Sequence, residues 1–464
     1  RSDFFYNSNL NYFYLEEKMN DYTDSTKKVF LMSLPIFVEL LLQLLVGNID
    51  QIMLSRFSQA AVAAIGNANQ IINIIIIVLT LMASAALVLN SQYLGAHDTK
   101  RTYSLCHVVM LVIGVCALFS SFLTICFPRF IFGLINVPDD VMDGAVSYLS
   151  IIGLGFILQG FYVTLAAILR SYGRVKEVMI TAVVMNLLNI VGNAILINGL
   201  FFFPQMGISG AAVSTDISKL IGLVMIYIIF RRKTGIRFSL KYFKPFPWNM
   251  LKTLLSIGIP TGAESFSYNL SQIAILAFIN IFGTNVIATR VYGYMFANVA
   301  YLYSMAIAQS TQITLGYLVG AKELDKVPRR IYITTVICMA VSVSVTVLIY
   351  LNSDFLFGIF TSEPEILALG KKVMFIEIFL EIGRSVNIVM TRALVAIGDV
   401  MFPVIIGIGS QWFVSVIASY IVGVKLGFGL QGIWIAMAFD EGLRGVLFLI
   451  RFKMGTWRKK VYKA

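Results

Sequence analysis

The residues able to do chemistry in this 464-residue chain are few, and most of them lie inside apolar stretches. Asp50 comes late in a run that is apolar from about Val29, with no Lys or Arg until Arg56. Asn189 and Asn193 stand four apart with Asn186 close by, and Thr215 lies within "GAAVSTDISKL". A carboxylate, two carboxamides and a hydroxyl on neighbouring helices offer oxygens to a dehydrated hard cation such as Na⁺. A desolvated Asp would equally serve H⁺. The competing reading is hydrogen bonding between helices, about 0.6 kcal/mol per bond on average. Asp50 tips the balance toward an ion, because an unpaired carboxylate at membrane depth is unfavourable by roughly 2.5–3.5 kcal/mol on insertion scales.

Once loop residues are set aside, eight acids lie within apolar runs: Glu39, Asp50, Asp216, Glu264, Glu377, Glu381, Asp440 and Glu441. The bases there are Lys219, Arg290, Arg384, Arg392 and Arg444. At about 100° per residue, Glu39, Gln43 and Asp50 fall within about 40° of one another, a polar stripe expected to face the interior of a bundle. Asp216 with Lys219, and Glu441 with Arg444, are i, i+3 pairs that read as structural. Glu377, Glu381 and Arg384 form an i, i+4, i+7 stripe. It either lines a cleft or belongs to a self-compensating network with Glu264, Tyr268 or Asp440. Glu39 and Glu264 each follow a proline by four residues, and either gate a cavity or pin a helix.

The elements that must position these groups are set by composition. Hydrophobic residues make up 58% of the chain, charged ones 13%, and the mean hydropathy is +0.83. That is more apolar surface than a soluble protein of this size keeps from water. Runs of about 20 residues or more recur, long enough for a hydrocarbon core of about 30 Å. They predict an all-α polytopic membrane protein with spans near 29–54, 60–93, 102–127, 145–169, 178–200, 207–230, 251–281, 286–318, 331–352, 370–396, 402–424 and 430–450. Loop Lys and Arg divide 25 to 5 between the two sides, which places both termini in the cytoplasm by the positive-inside rule. The net charge of +12 is thus a topology signal, and no nucleic-acid partner is expected. The four cysteines lie in apolar runs without a CxxC pair, and His97 and His107 have no ligand partners at metal spacing. Residues 1–18 have no apolar core of a secretory signal and are expected to be a leader or remnant.

The second half repeats the first at an offset of 225 residues. Pro35 meets Pro260, Glu39 meets Glu264, Gly95-Ala96 meets Gly320-Ala321, and "RFIFGLI" (129–135) meets "DFLFGIF" (354–360). Gly173 meets Gly398, Asp216 meets Glu441 and Lys219 meets Arg444. One constant offset over six spans implies two pseudo-symmetric six-helix lobes as parallel repeats, an architecture suited to alternating access. The expected divisions are an N-terminal tail (1–26), an N-lobe (27–230), a linker (231–250), a C-lobe (251–455) and a basic tail (456–464).

Several stretches, in order, resemble the multidrug and toxic compound extrusion (MATE) family. They are "LPIFVELLLQLLVGNIDQIMLSRFSQAAVAAIG", "LNIVGNAILINGL", "MGISGAAVSTDIS", "RALVAIGD" and "GLQGIWIAMAFDEGLR". The resemblance implies a plasma-membrane antiporter, coupled to Na⁺ or H⁺, that exports small organic cations without a cofactor and works as a monomer among lipids. It sets Asp50 at the family's first-helix coupling aspartate, with Asn189 and Thr215 at site positions. Asn193 stands where many members carry a second aspartate, and Arg384 where some carry a functional one. If Na⁺ is the ion, Asp50, Asn189, Asn193 and Thr215 are its expected ligands, while Glu39, Gln43, Glu264, Tyr268, Glu377, Glu381, Arg384 and Asp440 are candidates for cavity or gate. A major-facilitator transporter is the nearest rival, but "GAHDTKR" lacks that family's GxxxDRxGRR spacing. A lipid-linked precursor flippase would want cations lining its cavity, against eight acids to five bases here. An intramembrane enzyme would want a nucleophile–base pair or metal set that His107 alone does not supply.

Overall fold

The computed structural model describes residues 25–201 and 203–458; the expected leader at 1–18 and the last six residues of the basic tail lie outside them. The described residues contain no strand. The long helices are α1 (Thr26–Phe57), α2 (Gln59–Gly95), α3 (Thr99–Cys126), α4 (Asp139–Ser171), α5 (Val175–Asn198) and α6 (Gly207–Thr234). Then come α7 (Trp248–Ile279), α8 (Thr284–Gly320), α9 (Lys326–Leu351), α10 (Pro364–Ala396), α11 and α12 (Gly429–Lys453). Helix α11 begins as α-helix at Met401–Ser410 and continues with π-helical winding over Gln411–Val416 and Ser419–Lys425. These are the twelve helices expected from the apolar runs.

Among the described residues, nine of these helices are long and apolar enough to cross a membrane by length and composition. The other three, α8, α10 and α12, belong to the second repeat, and α10 and α12 carry most of its buried charge. Large apolar side chains such as Val115, Leu118, Phe119, Leu348 and Phe413 lie on the outside, as lipid rather than water would require. The protein is a multi-pass membrane protein.

Packing follows the repeat. The short helices Pro128–Leu134 and Ser353–Gly358 come from the matched motifs, and each turns one phenylalanine fully inward. Phe132 and Phe357 are both 0% exposed, while Phe130 and Phe355, two residues earlier, stay outside. Gly173 and Gly398 follow α4 and α10 with φ of 67° and 86°, a left-handed turn that a side chain would oppose.

The chain resolves into two compact units, and the division falls inside α1 and α7, beside Pro35 and Pro260. A proline removes one backbone hydrogen bond from a helix, so the segments before and after it need not pack as one piece. Residues 38–259 make the first unit; residues 25–37 and 260–458 make the second. In the first, Phe132, Leu149, Phe156 and Ile197 anchor the core. In the second, Ile279, Phe357, Met374 and Trp434 do so, with Phe30 and Phe37 of early α1 packed on the cluster of Tyr303, Ile307 and Val389.

Glu39 holds a helix in place. Arg170, at the end of α4, donates to Glu39 at 2.5 Å, and the Glu39 side chain is 3% exposed. Removing one partner of a buried pair leaves the other charge stranded, at a cost of about 3–5 kcal/mol. Glu39→Leu is therefore expected to lower the melting midpoint of the detergent-purified protein clearly. Glu39→Leu with Arg170→Met should recover most of the loss, and an unchanged midpoint in the single variant would refute the role.

Candidate functional site

The oxygen-rich cluster of the first unit is built on α1, α5 and α6. Asn193, 1% exposed, donates from Nδ2 to Asp50 Oδ1 at 2.7 Å. Among the described residues this is the one side-chain hydrogen bond that Asp50 makes, and it has no ion pair. The carbonyl oxygen of the same carboxamide, Asn193 Oδ1, is buried with no donor. One helical turn earlier, Asn189 donates from Nδ2 to Thr215 Oγ1 at 3.1 Å, and Thr215 Oγ1 donates to the Ala211 carbonyl at 2.9 Å. Ser214 donates to the Asn189 carbonyl at 3.0 Å, clamping α6 to α5. The i, i+4 spacing of the asparagines puts both amides on one face of α5, and the structure joins each to a different helix.

Asp216 lies on α6 beside this cluster. Its Oδ1 is buried without a hydrogen-bond partner, and Lys219 lies within electrostatic reach. A side chain at position 155 would occupy the space of its carboxylate, so glycine is what lets α4 approach. Buried Tyr148 of α4 lies within electrostatic reach of both Asp50 and Asp216. Neither Tyr148 nor Gly155 carries a charge or a motif that the sequence would have flagged. The expected interior stripe on α1 divides: Glu39 is taken by Arg170, Asp50 by Asn193, and Gln43 is exposed.

In the second unit the acids are held by protein donors. Arg384 donates to Glu377 at 2.8 Å and to Glu381, and Trp434 Nε1 donates to the other oxygen of Glu377 at 2.7 Å. Arg444 bridges Asp440 at 2.7 Å and Glu441 at 2.8 Å. Ser410 donates to Asp440, and Asn387 to Glu441 at 2.6 Å. Glu264 accepts from Gln411 Nε2 at 2.9 Å, and Gln411 Oε1 accepts from Ser267 at 2.8 Å. Gln411 opens the π-helical stretch of α11, where wider winding re-aims side chains. Asp399, which the sequence places in a loop, is 0% exposed and accepts from Arg451 at 2.8 Å. Tyr268 and Arg384 line a cavity in this unit.

Among the described residues no group of three or more His, Cys, Asp and Glu could hold a metal ion. A monovalent cation needs no such cluster of acids. The carboxylate of Asp50 and the donor-less carbonyl of Asn193 suit it, with the Thr215 hydroxyl and Asn189 carboxamide nearby.

Two repeated units of long apolar helices, one of them with an oxygen cluster joining three of its helices, define a polytopic membrane transporter. The MatE family model matches residues 35–195 and again 260–421, two stretches that start at the same 225-residue offset. The chain belongs to this family of multidrug efflux transporters. It is 35% identical over 444 residues to an uncharacterized transporter, YisQ, of Bacillus subtilis (strain 168), covering 94% of this chain and 96% of that one. It is 28% identical over 437 residues to the probable multidrug resistance protein NorM of Thermotoga maritima, covering 94% and 93%. A crystal structure of MATE in the bent conformation shares the fold with a TM-score of 0.87 at 18% identity, over 96% of this chain and 99% of that one.

The Asn189–Thr215 bond tests the local architecture. Thr215→Val leaves a buried amide without its acceptor, at a cost of about 1–3 kcal/mol, whereas Thr215→Ser keeps the oxygen. The valine variant is expected to melt lower in detergent and the serine variant near wild type; equal midpoints would show that the bond contributes nothing.

Proposed function

We propose that the protein is a cation-coupled exporter of organic cations, driven by Na⁺ or H⁺ bound at Asp50, with both termini in the cytoplasm. The observation that supports this reading is the pairing at Asp50: one neutral amide donor, no basic partner among the described residues, and a buried acceptor oxygen on the same amide. A carboxylate so placed is short of positive charge, and a bound cation or proton completes it. Asn193 in place of a second carboxylate gives the site one negative charge, matched to one monovalent ion.

Coupling follows from electrostatics. With an ion bound, Asp50 is neutralised and its surroundings pack as an apolar interior; emptied, it demands water or a cationic drug. Competition between ion and drug for the same charge makes the exchange an antiport. A membrane potential of 100 mV contributes about 2.3 kcal/mol per charge moved, and one pH unit about 1.4 kcal/mol. One ion exchanged for one monovalent cation moves no net charge, so each tenfold gradient of the ion supports about tenfold accumulation.

The test is export of a fluorescent cationic dye from proteoliposomes under Na⁺ and H⁺ gradients imposed separately. Wild type is expected to respond to one of the two, and Asp50→Asn to lose at least tenfold of the gradient-driven signal. Undiminished export by Asp50→Asn would sink the mechanism. Absence of export by wild type with either ion would point to another substrate class, such as a lipid-linked precursor.

A further inference from the structure

The segment joining α6 to α7 lies apart from the ion site, yet it is neither neutral nor loose. From Arg231, at the end of α6, to Lys252, early in α7, it carries seven Lys and Arg and no Asp or Glu. Arg231, Arg232, Lys241, Lys244 and Lys252 are exposed. Arg231 donates to the Tyr227 hydroxyl at 3.4 Å, and among the described residues none of the five pairs with an acid.

The segment is fastened to α3 as a strap. His107 of α3 is 0% exposed; its Nε2 accepts the backbone N–H of Ser239 at 2.9 Å, and its Nδ1 donates to the Tyr103 carbonyl at 2.7 Å. The Phe238 and Phe243 rings lie with centroids 4.8 and 6.0 Å from the imidazole, and Ile236 is buried. One 3₁₀ turn follows at Leu240–Phe243, capped by Ser239. Phe243 then stacks on Phe246, which meets Trp248 edge-on at 4.7 Å. Phe238 and Trp248 are nevertheless 55% and 70% exposed.

The depth of the strap follows from α3. That helix has 28 residues, about 42 Å at about 1.5 Å each, which matches a bilayer with its headgroups, about 40–45 Å. His107 comes eight residues in, about 12 Å from the end. It therefore ties the strap at the inner edge of the headgroup layer rather than out in water. Exposed tryptophan and phenylalanine suit that boundary, and a run of Lys and Arg without acids suits a layer of phosphates. Loop charge alone would serve topology. Pinning the charge beside exposed rings at this depth builds a surface complementary to an anionic headgroup.

We propose that the strap over residues 236–248, with its exposed Lys241 and Lys244 and with Phe238 and Trp248 as aromatic anchors, binds the headgroup of anionic phospholipids. This ligand is separate from the coupled ion and from the exported molecule.

The test is native mass spectrometry of the full-length, detergent-purified protein titrated with dioleoyl phosphatidylglycerol or dioleoyl phosphatidylcholine, with hydrogen–deuterium exchange to locate the lipid. Phosphatidylglycerol is expected to bind at least tenfold more tightly than phosphatidylcholine and to slow exchange across residues 236–248. One basic residue at a membrane surface contributes about fivefold, so Lys241→Gln with Lys244→Gln should lose at least tenfold in phosphatidylglycerol affinity. Lys322→Gln with Arg329→Gln removes the same charge from another basic stretch and should keep it. Equal binding of the two lipids, equal loss in the two charge-matched variants, or slowed exchange confined to other segments would each overturn the proposal. Displacement of the lipid by millimolar glycerol phosphate would do so too, making the strap a site for small free anions. So would a dimer that disappears in the Lys241/Lys244 variant, which would make the strap an interface between copies. None of these measurements uses a gradient or a drug, so their outcome is independent of the reading of Asp50.

Discussion

A carboxylate taken out of water must find a partner, and that requirement organises the interior of this protein. Leaving an ion alone in a low-dielectric interior costs several kcal/mol, so each buried acid shows how its charge is met. In the second unit the answer is mostly arginine: Arg384 for Glu377 and Glu381, Arg444 for Asp440 and Glu441, Arg451 for Asp399. In the first unit Glu39 follows the same rule with Arg170. Asp50 and Asp216 do not. Asp50 rests on a neutral donor, the Asn193 amide, and Asp216 keeps its Oδ1 buried without a hydrogen-bond partner. A neutral donor steadies a carboxylate without cancelling its charge, and such a site is where a mobile cation or proton changes the energy most.

The duplication separates scaffold from chemistry. Pro35 and Pro260, Phe132 and Phe357, and Gly173 and Gly398 keep the same place in both halves, and each meets a demand of backbone or packing that both units share. Several polar groups do not follow the repeat. Asp50 becomes Ile275, the two asparagines of α5 become Val414 and Ala418, and the Asp216–Lys219 pair becomes a tight ion pair between Glu441 and Arg444. The same helical frame therefore presents an oxygen cluster in one unit, and in the other an aromatic cavity and charged networks.

Much of this was legible before any coordinates. Twelve apolar runs mark twelve helices, because the bilayer sets a length and a composition that few other structures satisfy. The constant offset marks two lobes, and the i, i+4 spacing of Asn189 and Asn193 marks one helical face. Asp50 stands out simply because its run has no base. Other features were hidden. Arg170 and Asp399 read as loop residues yet are buried in ion pairs. Gln43 shares the face of Glu39 and Asp50 but is exposed. Tyr148, Gly155 and Gln411 carry no signal at all.

By itself the amino-acid sequence determined the class of protein, its helices, its internal repeat and the lone carboxylate of Asp50 in a run without a base. All of these follow from local periodicity, hydropathy and self-similarity along one chain. Only the tertiary structure decided that Glu39 goes to Arg170, Asp50 to Asn193, and Glu377 to Arg384 and Trp434. Helical periodicity says which side of a helix a residue is on. It cannot say which of several neighbouring helices lies against that side, and partner choice between residues more than a hundred positions apart is settled by packing alone.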